Sequence, residues 1–298
     1  MKIRLLANDS KMPNIAIMKI STYHKQLGDD VDWYNPLFDC NDTDILYHSQ
    51  LFCFTPPYDH YPVNAKIIKG GTGIDIKSHL PKEIDDILDL DYSLYPDCDY
   101  SMQFYSRGCI RKCPFCVVHD KEGYIQSVKP MSLNCKGTHI EILDNNFFAN
   151  PNWKSAIEDL LKIGQPVNFH GVDARLLTKE HCDYLNKLKL YKTIKIAWDF
   201  PKMDLRPQLK QIIQWIKPYK LMCYVLIGYD STPEEDLYRV EELRKLKIDP
   251  FVMPFDKTDS YQKSFARWVN DKAIFRKVKW EDYGKTIKVQ SINQTSLF

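Results

Sequence analysis

The sequence lacks the features of a membrane or secreted protein. No apolar run approaches the roughly 20 residues that a membrane-spanning helix needs, since the longest extends only from Leu221 to Tyr229. The first residues turn polar after Ala7, so they do not resemble a secretory signal peptide. We therefore expect a cytoplasmic protein with no membrane partner.

An excess of charge of one sign is also lacking. The 41 Lys and Arg residues nearly balance the 39 Asp and Glu residues, and the formal net charge is +2. This balance gives no electrostatic indication of a nucleic-acid partner. The 298 residues are 44% hydrophobic and 27% charged, which is typical of a globular protein of one or two domains.

Most of the nine cysteines lack a regular spacing. Without an export signal, cysteines indicate a reducing compartment and metal binding rather than disulfides. We expect six of them to be buried structural thiols. These six are Cys40, Cys53, Cys98, Cys135, Cys182 and Cys223.

The other three cysteines form a Cys-x3-Cys-x2-Cys motif at Cys109, Cys113 and Cys116. Three thiolates on one short loop can bind three irons of a 4Fe–4S cluster and leave the fourth iron open, whereas clusters for electron transfer usually have four cysteines. A structural zinc site usually has two Cys-x2-Cys pairs and needs a fourth ligand. The motif favours chemistry at the metal, and a structural zinc site is the alternative.

Strand and helix patterns alternate along the chain, which predicts an α/β fold. Residues 1–95 predict a small Rossmann-like parallel sheet, and the acidic segment 81–99 is typical of a linker. Residues 96–257 predict six strands and about five helices, the pattern of a partial (β/α)6 TIM-type barrel with ligands at the carboxyl ends of its strands. Residues 117–134 predict a loop-dominated crossover, and residues 258–298 form a C-terminal extension.

The cysteine motif and its surroundings resemble the radical S-adenosylmethionine (SAM) enzymes. The residues that carry the resemblance are Arg107-Gly-Cys-x3-Cys-Pro-Phe-Cys116, preceded by the Gly70-Gly-Thr-Gly73 turn. The order of segments resembles the branch whose N-terminal domain is related to cobalamin-binding domains. The resemblance implies that the three cysteines bind a 4Fe–4S cluster and that the open iron binds SAM.

The resemblance also implies the reaction. One electron, from a donor such as flavodoxin or ferredoxin, cleaves SAM reductively to methionine and a 5′-deoxyadenosyl radical, which abstracts hydrogen from a substrate. In this reaction the cofactors supply the chemistry, and the protein supplies position and exclusion of water.

Several residues correspond to SAM-binding positions of that family. Phe115 matches the residue that packs near adenine, and Asp199 lies where ligands of the ribose hydroxyls are found. Asp144, Asn145 and Asn146 follow the second barrel strand, where the family binds the amino group of SAM; as an alternative, they cap the next helix.

Two further pairs complete the predicted site. Ile227 and Gly228 belong to a fifth-strand element whose backbone flanks adenine in the family. Asp173 and Arg175, two residues apart after the third strand, can point to the same side of an extended segment. They could bind the SAM carboxylate or a substrate, or form a structural ion pair.

Cobalamin is the remaining cofactor that the resemblance implies. Many cobalamin domains have Asp-x-His-x-x-Gly after the first strand, but this loop reads Asp9-Ser-Lys-Met-Pro-Asn14, without His or Gly. We therefore expect a scaffold without cobalamin and hydrogen abstraction from a small molecule, nucleotide or peptide. The alternatives are a cobalamin-dependent methylase and a non-catalytic iron–sulfur or zinc-binding module.

Overall fold

A computed structural model describes residues 1–9 and 12–283 of the chain. Ser10 and Lys11, in the loop compared above with cobalamin domains, lie outside the described residues, as do residues 284–298 of the predicted extension. The chain divides into two compact units, which meet in sequence between Asn145 and Asn146; we call them unit 1 and unit 2. Both contain helices and parallel strands, which confirms the predicted α/β class.

Unit 1 begins with a four-stranded parallel sheet in the order β2-β1-β3-β4. Its elements in chain order are β1 (Lys2–Ala7), helix α1 (Ile15–Gln26), β2 (Asp30–Trp33), β3 (Ile45–Ser49) and β4 (Lys66–Gly70). Parallel strands need crossover connections, and α1 supplies the one between β1 and β2.

Helix α1 has a capped start and a buried apolar face. The Asn14 side chain accepts hydrogen bonds from the backbone N–H groups of Ala16 and Ile17, at 3.0 and 3.3 Å. Ile17 and Ile20 pack in one cluster with Ile3 of β1. Burying such a side chain contributes about 1.5–3 kcal/mol, so this face anchors α1 on the sheet.

The segment between residues 81 and 99 is packed, and its interpretation as a linker was wrong. Ile84 and Leu94 are buried in the cluster that contains the inner face of α1. The Asp91 carboxylate accepts hydrogen bonds from Ser21 Oγ at 2.6 Å and Lys25 Nζ at 2.7 Å, both on α1. The acidic composition of the segment suggested an exposed linker, although its few apolar residues pack in the core.

The rest of unit 1 consists of short elements. They are α2 (Lys82–Asp85), β5 (Tyr100–Gln103), β6 (Ser106–Arg107), α3 (Val118–Glu122), β7 (Gln126–Ser127) and β8 (His139–Ile142). β5 pairs with β8 in parallel, whereas β6 and β7 are antiparallel. The predicted loop-dominated crossover is confirmed, since α3 and β7 are the only helix and strand within residues 117–134.

Unit 2 alternates strands and helices. They are α4 (Trp153–Ile163), β9 (Val167–Phe169), α5 (Lys179–Lys187), β10 (Ile194–Ala197), α6 (Arg206–Trp215), β11 (Leu221–Ile227), α7 (Pro233–Lys245), β12 (Asp249–Pro254), α8 (Ser260–Asn270) and α9 (Lys272–Lys277). β11 is central in the parallel sheet β10-β11-β12. Within the part of the chain that the structure describes, no helix is both long enough and apolar enough to cross a membrane.

Helices of unit 2 begin and end at residues suited to those positions. Thr232 and Glu235 form the predicted capping box of α7, with each side chain bonded to the other's backbone N–H, and Pro233 is the first helical residue. Thr178 caps α5 as predicted. Gly164 ends α4 with φ +70°, a conformation that glycine adopts at low cost. These local signals explain why the helix positions were predictable.

Candidate functional site

The three cysteines of the motif lie on one loop, residues 109–116, which we call the cysteine loop. The chain before and after this loop is joined by the pairing of β6 with β7, with Ser106 opposite Ser127 and Arg107 opposite Gln126. Residues 108–125, which contain the cysteine loop and α3, therefore connect two paired strands. We call this segment the excursion, and its two ends beside β6 and β7, which the backbone pairing holds together, its base.

Gly108, directly before the first cysteine, is required by its surroundings. Its φ is +81°, and a Cβ atom there would lie 2.6 Å from the carbonyl oxygen of Tyr124. The next residue, Cys109, donates its backbone N–H to the carbonyl of Gly123 at 3.3 Å. The glycine thus allows the two ends of the excursion to approach closely.

Glu122, at the end of α3, holds this base together. Its carboxylate accepts hydrogen bonds from Arg107 Nη2 at 2.7 Å, from the Gly108 N–H at 2.9 Å and from Asn145 Nδ2 at 2.9 Å. Burial acts to raise the pKa of Glu122, but the hydrogen bonds from Arg107 and Gly108 and the charge of Arg107 outweigh it, so the pKa is lowered. No sequence pattern indicated a role for this residue.

The cysteine loop carries its thiols near the surface. Cys109 and Cys113 are half-buried, Cys116 is exposed, and none of the three is in a disulfide. Of the other six cysteines, Cys98, Cys182 and Cys223 are buried as expected. The expectation was wrong for the remaining three, because Cys40 is half-buried and Cys53 and Cys135 are exposed. Cys109 Sγ accepts a hydrogen bond from the Arg111 N–H at 3.3 Å. Among residues 1–9 and 12–283, no three His, Cys, Asp or Glu side chains converge on a metal-binding geometry. The structure thus places the thiols on one loop without gathering them into one ligand set.

Asp144, predicted as a SAM ligand, is buried beneath the strand that leads to the cysteine loop. Its carboxylate accepts hydrogen bonds from the Tyr105 N–H at 2.9 Å and from Ser106 Oγ at 2.5 Å. Burial raises its pKa to about 6, although these hydrogen bonds act to lower it. In the described structure, Asp144 joins the end of β8 to the beginning of β6.

The two asparagines that follow Asp144 belong to different units. Asn145, in unit 1, is half-buried and bonds to Glu122 through its side-chain amide. Asn146, in unit 2, is buried and precedes a 3-10 turn over Phe147–Ala149. Phe115 is half-buried on the cysteine loop. SAM binding by these residues stays a prediction.

Asp173 and Arg175 form an ion pair after β9. Arg175 Nε and Nη2 each lie 2.7 Å from an oxygen of Asp173, in the two-pronged geometry that guanidinium and carboxylate groups favour. The Arg175 N–H also donates to Asp173 Oδ1 at 3.0 Å. The two side chains are in contact, but Ala174–Leu176 form a 3-10 turn rather than the extended segment that we expected. Binding of SAM or a substrate by this pair stays a prediction.

Asp199 follows β10 and is held against the neighbouring strand. Its Oδ1 accepts a hydrogen bond from the Leu226 N–H of β11 at 3.2 Å. Burial raises the pKa of Asp199, and the charges of Arg239 and Arg175 partly offset that rise. Asp199 therefore lies within electrostatic range of the ion pair after β9.

Arg239 of α7 fixes the ends of β10 and β11, a role that was not predicted from the sequence. Its side chain is 0% exposed. It donates to the Trp198 carbonyl at 2.8 Å, to the Leu226 carbonyl at 2.9 Å and to Asp236 Oδ1 at 2.7 Å. The signal available in the sequence was an acidic residue, Asp236, three positions before Arg239 on the same helix. Such acid–base pairs are equally typical of solvent-exposed helix faces.

Ile227 and Gly228, at the end of β11, contact the region around α8. Ile227 is buried and accepts a hydrogen bond from the Phe255 N–H at 3.0 Å. Gly228 has φ +76°, and a Cβ there would come within 2.2 Å of the Gln262 side chain. The glycine makes room for Gln262, which accepts a hydrogen bond from the Asp256 N–H at 3.0 Å.

β10 carries a buried lysine that was not predicted from the sequence. Lys195 is 7% exposed, and its ammonium group donates to the Asn168 side chain and to the Phe169 carbonyl on β9. The signal available in the sequence was the alternation of apolar and polar residues along Ile194-Lys-Ile196. Since side chains alternate across a strand, Lys195 points to the face opposite to its two apolar neighbours.

Comparison with protein-family models finds no matching family, and comparison with curated proteins finds no matching relative.

Proposed function

We propose that this chain is a radical SAM enzyme that cleaves SAM reductively and abstracts hydrogen from a substrate. The observation that carries the proposal is the Arg-Gly-Cys-x3-Cys-x2-Cys loop together with its base. Three soft thiol ligands suit an iron–sulfur cluster, and Gly108 and Glu122 fix the start of the loop. The donor set therefore fits the group that the resemblance implies.

In this proposal the cysteines of the loop hold the cluster and the chain places SAM beside it. Cys109, Cys113 and Cys116 would be the protein ligands, and Phe115 would pack against adenine. The cluster, when bound, supplies the electron that breaks the sulfonium C–S bond. Binding of a metal can bring together protein ligands that lie apart when the metal is absent. Three thiols that do not converge on one point are therefore compatible with their assignment as cluster ligands.

Unit 2 carries three further polar residues of the predicted site. Asp199 follows β10 of a parallel sheet, and Asp173 and Arg175 follow β9. The carboxyl ends of strands in α/β folds are common ligand sites. The arrangement supports the finer fold that we propose, a Rossmann-like sheet and a partial (β/α)6 barrel. Asp199 would bind the ribose hydroxyls, and the ion pair would orient the SAM carboxylate or a substrate.

Cluster content tests the metal assignment. The full chain, reconstituted anaerobically with iron and sulfide, should become brown and bind about four irons and four sulfides per chain, the content of one cubane cluster. Cys113→Ala should lose the colour, whereas Cys135→Ala, an exposed cysteine outside the loop, should keep it. A colourless protein that binds zinc tightly would contradict the proposal.

A further inference from the structure

Unit 1 contains a large cavity that the proposed SAM site does not use. Its volume is about 1080 Å³, several times that of an inorganic anion. It lies over the carboxyl ends of β3 and β4, which contribute Ser49 and Gly70, and it extends to Arg107 and Glu122 at the base of the cysteine loop. In open parallel sheets, ligands bind at such carboxyl ends.

The cavity carries an excess of positive charge. Five cationic and three acidic side chains line it. Each acid has a cationic partner: Glu122 pairs with Arg107, Asp85 with Lys19, and Asp86 with Lys82.

Three of the lysines that line the cavity have no carboxylate partner among the described residues. Among the described residues, no carboxylate lies within ion-pair distance of Lys69, Lys121 or Lys129. Lys121 is half-buried and donates to the Thr72 hydroxyl, just past the end of β4. A partly enclosed cation without a counter-charge favours an anionic ligand.

A buried histidine supplies an independent indication of a ligand. His48 of β3 lines the cavity and is 4% exposed. Its Nδ1 shares a hydrogen bond with the Tyr61 hydroxyl at 2.9 Å, but its buried Nε2 has no partner among the described residues. A buried polar atom without a partner costs about 1–3 kcal/mol, which a ligand atom would recover.

The cavity is also lined by apolar side chains. Ile15, Met102 and Val128 are among them. A ligand that fills the cavity therefore needs an organic body beside its anionic group, since pockets for small molecules combine apolar walls with a few polar contacts.

We infer that this cavity binds a small organic molecule bearing a phosphate group, with the phosphate at Lys69 and Lys121 and a polar atom at His48. Because the cavity reaches the base of the cysteine loop, this molecule is the substrate. That last identification rests on the proposed function; the binding site does not, because no cluster contributes to it.

Calorimetric titration of the full chain with pyrophosphate and with AMP tests the site. Wild type should bind both, and added salt should weaken binding. Lys121→Gln and Lys69→Gln should each weaken it about tenfold, as expected for one hydrogen bond to a charged group. Lys136→Gln removes the same charge from an exposed position of unit 1 outside the cavity and should bind like wild type.

His48→Phe tests the second contact while keeping an aromatic ring next to Tyr58 and Tyr61. It should weaken AMP binding several-fold, with circular dichroism unchanged. The inference is overturned if wild type shows no saturable binding at millimolar concentration, or if Lys136→Gln and Lys121→Gln weaken binding equally. It is also overturned if the cavity binds hydroxocobalamin and neither phosphate probe.

Different experiments test the cavity ligand and the radical SAM function, so either proposal can be wrong without the other. Titration without iron reports on the cavity alone, and SAM cleavage without an added substrate reports on the cysteine loop alone. Lys121→Gln should therefore leave cluster content unchanged.

Discussion

At the scale of single residues, Gly108 and Gly123 lie before the cysteine loop and after α3, and they share a positive φ but have different surroundings. Gly108 and Gly123 have φ values of +81° and +75°, but only Gly108 would place a Cβ against neighbouring backbone. Gly123 combines φ +75° with ψ −152°, a region that is almost restricted to glycine and costs another residue about 1–3 kcal/mol. At Gly108, a clash with neighbouring backbone adds to the cost of a positive φ.

We predict that Gly108→Ala loses more stability than Gly123→Ala. Gly123→Ala should cost about 1–3 kcal/mol for its backbone conformation alone, whereas Gly108→Ala adds a contact of 2.6 Å with the Tyr124 carbonyl oxygen. Urea denaturation measures both free energies of unfolding, and iron binding measures the effect on the loop. Equal losses would show that the two ends of the excursion do not approach as described.

Asp144 gives a pH-dependent prediction. Its folded pKa of about 6 lies above the ordinary value of 3.8, so the folded state binds the proton more tightly than the unfolded state does. The free energy of unfolding therefore has its full contribution from Asp144 below about pH 4. It falls by up to about 3 kcal/mol as the pH rises from about 4 to about 6 and the carboxyl group ionises. Above that range it stays constant.

Asp144→Asn should remove this loss, because the amide does not titrate. The stability difference between wild type and Asp144→Asn should therefore change between pH 4 and 7, as measured by urea denaturation at each pH. Asp120→Asn, at an exposed carboxylate of α3, is the control. A constant difference between wild type and Asp144→Asn would contradict the buried position of Asp144.

At the scale of elements, α7 holds two strand ends in place through one buried guanidinium group. Arg239→Met should destabilise the chain by about 3–5 kcal/mol, because it leaves the Asp236 carboxylate and the strand-end carbonyls without their partner. Chemical denaturation checks this value. Arg206→Met, which breaks an exposed pair with Asp204, should cause no measurable change; similar losses in both variants would contradict the account.

Sequence patterns predicted elements whose signals are local. The capping box of Thr232 and Glu235 and the terminal Gly164 mark helix ends through neighbouring residues, so α7 and α4 were predictable. Glu122 and Arg239 were not, because their partners lie elsewhere in the chain or on backbone atoms. The segment that contains Ile84 was misinterpreted for the same reason, since its anchor is on α1.

At the scale of the whole molecule, residues of the predicted site occur in both units. Unit 1 contains the cysteine loop, Asp144 and the cavity, and unit 2 contains Asp173, Arg175 and Asp199. The motif spacing and the residues after strands were visible in the sequence. The contacts of Asp144, and the absence of a carboxylate beside Lys69 and Lys121 among the described residues, depend on tertiary packing, and one sequence does not specify them.

SAM cleavage by the reconstituted protein tests the central claim most directly. Under anaerobic conditions with dithionite and SAM, wild type should form 5′-deoxyadenosine and methionine, quantified by liquid chromatography and mass spectrometry. Cys135→Ala should match wild type, and Cys113→Ala should reduce the product to the level of protein-free controls. Equal 5′-deoxyadenosine from Cys113→Ala and wild type, or none from a wild-type protein that contains its cluster, would contradict the account.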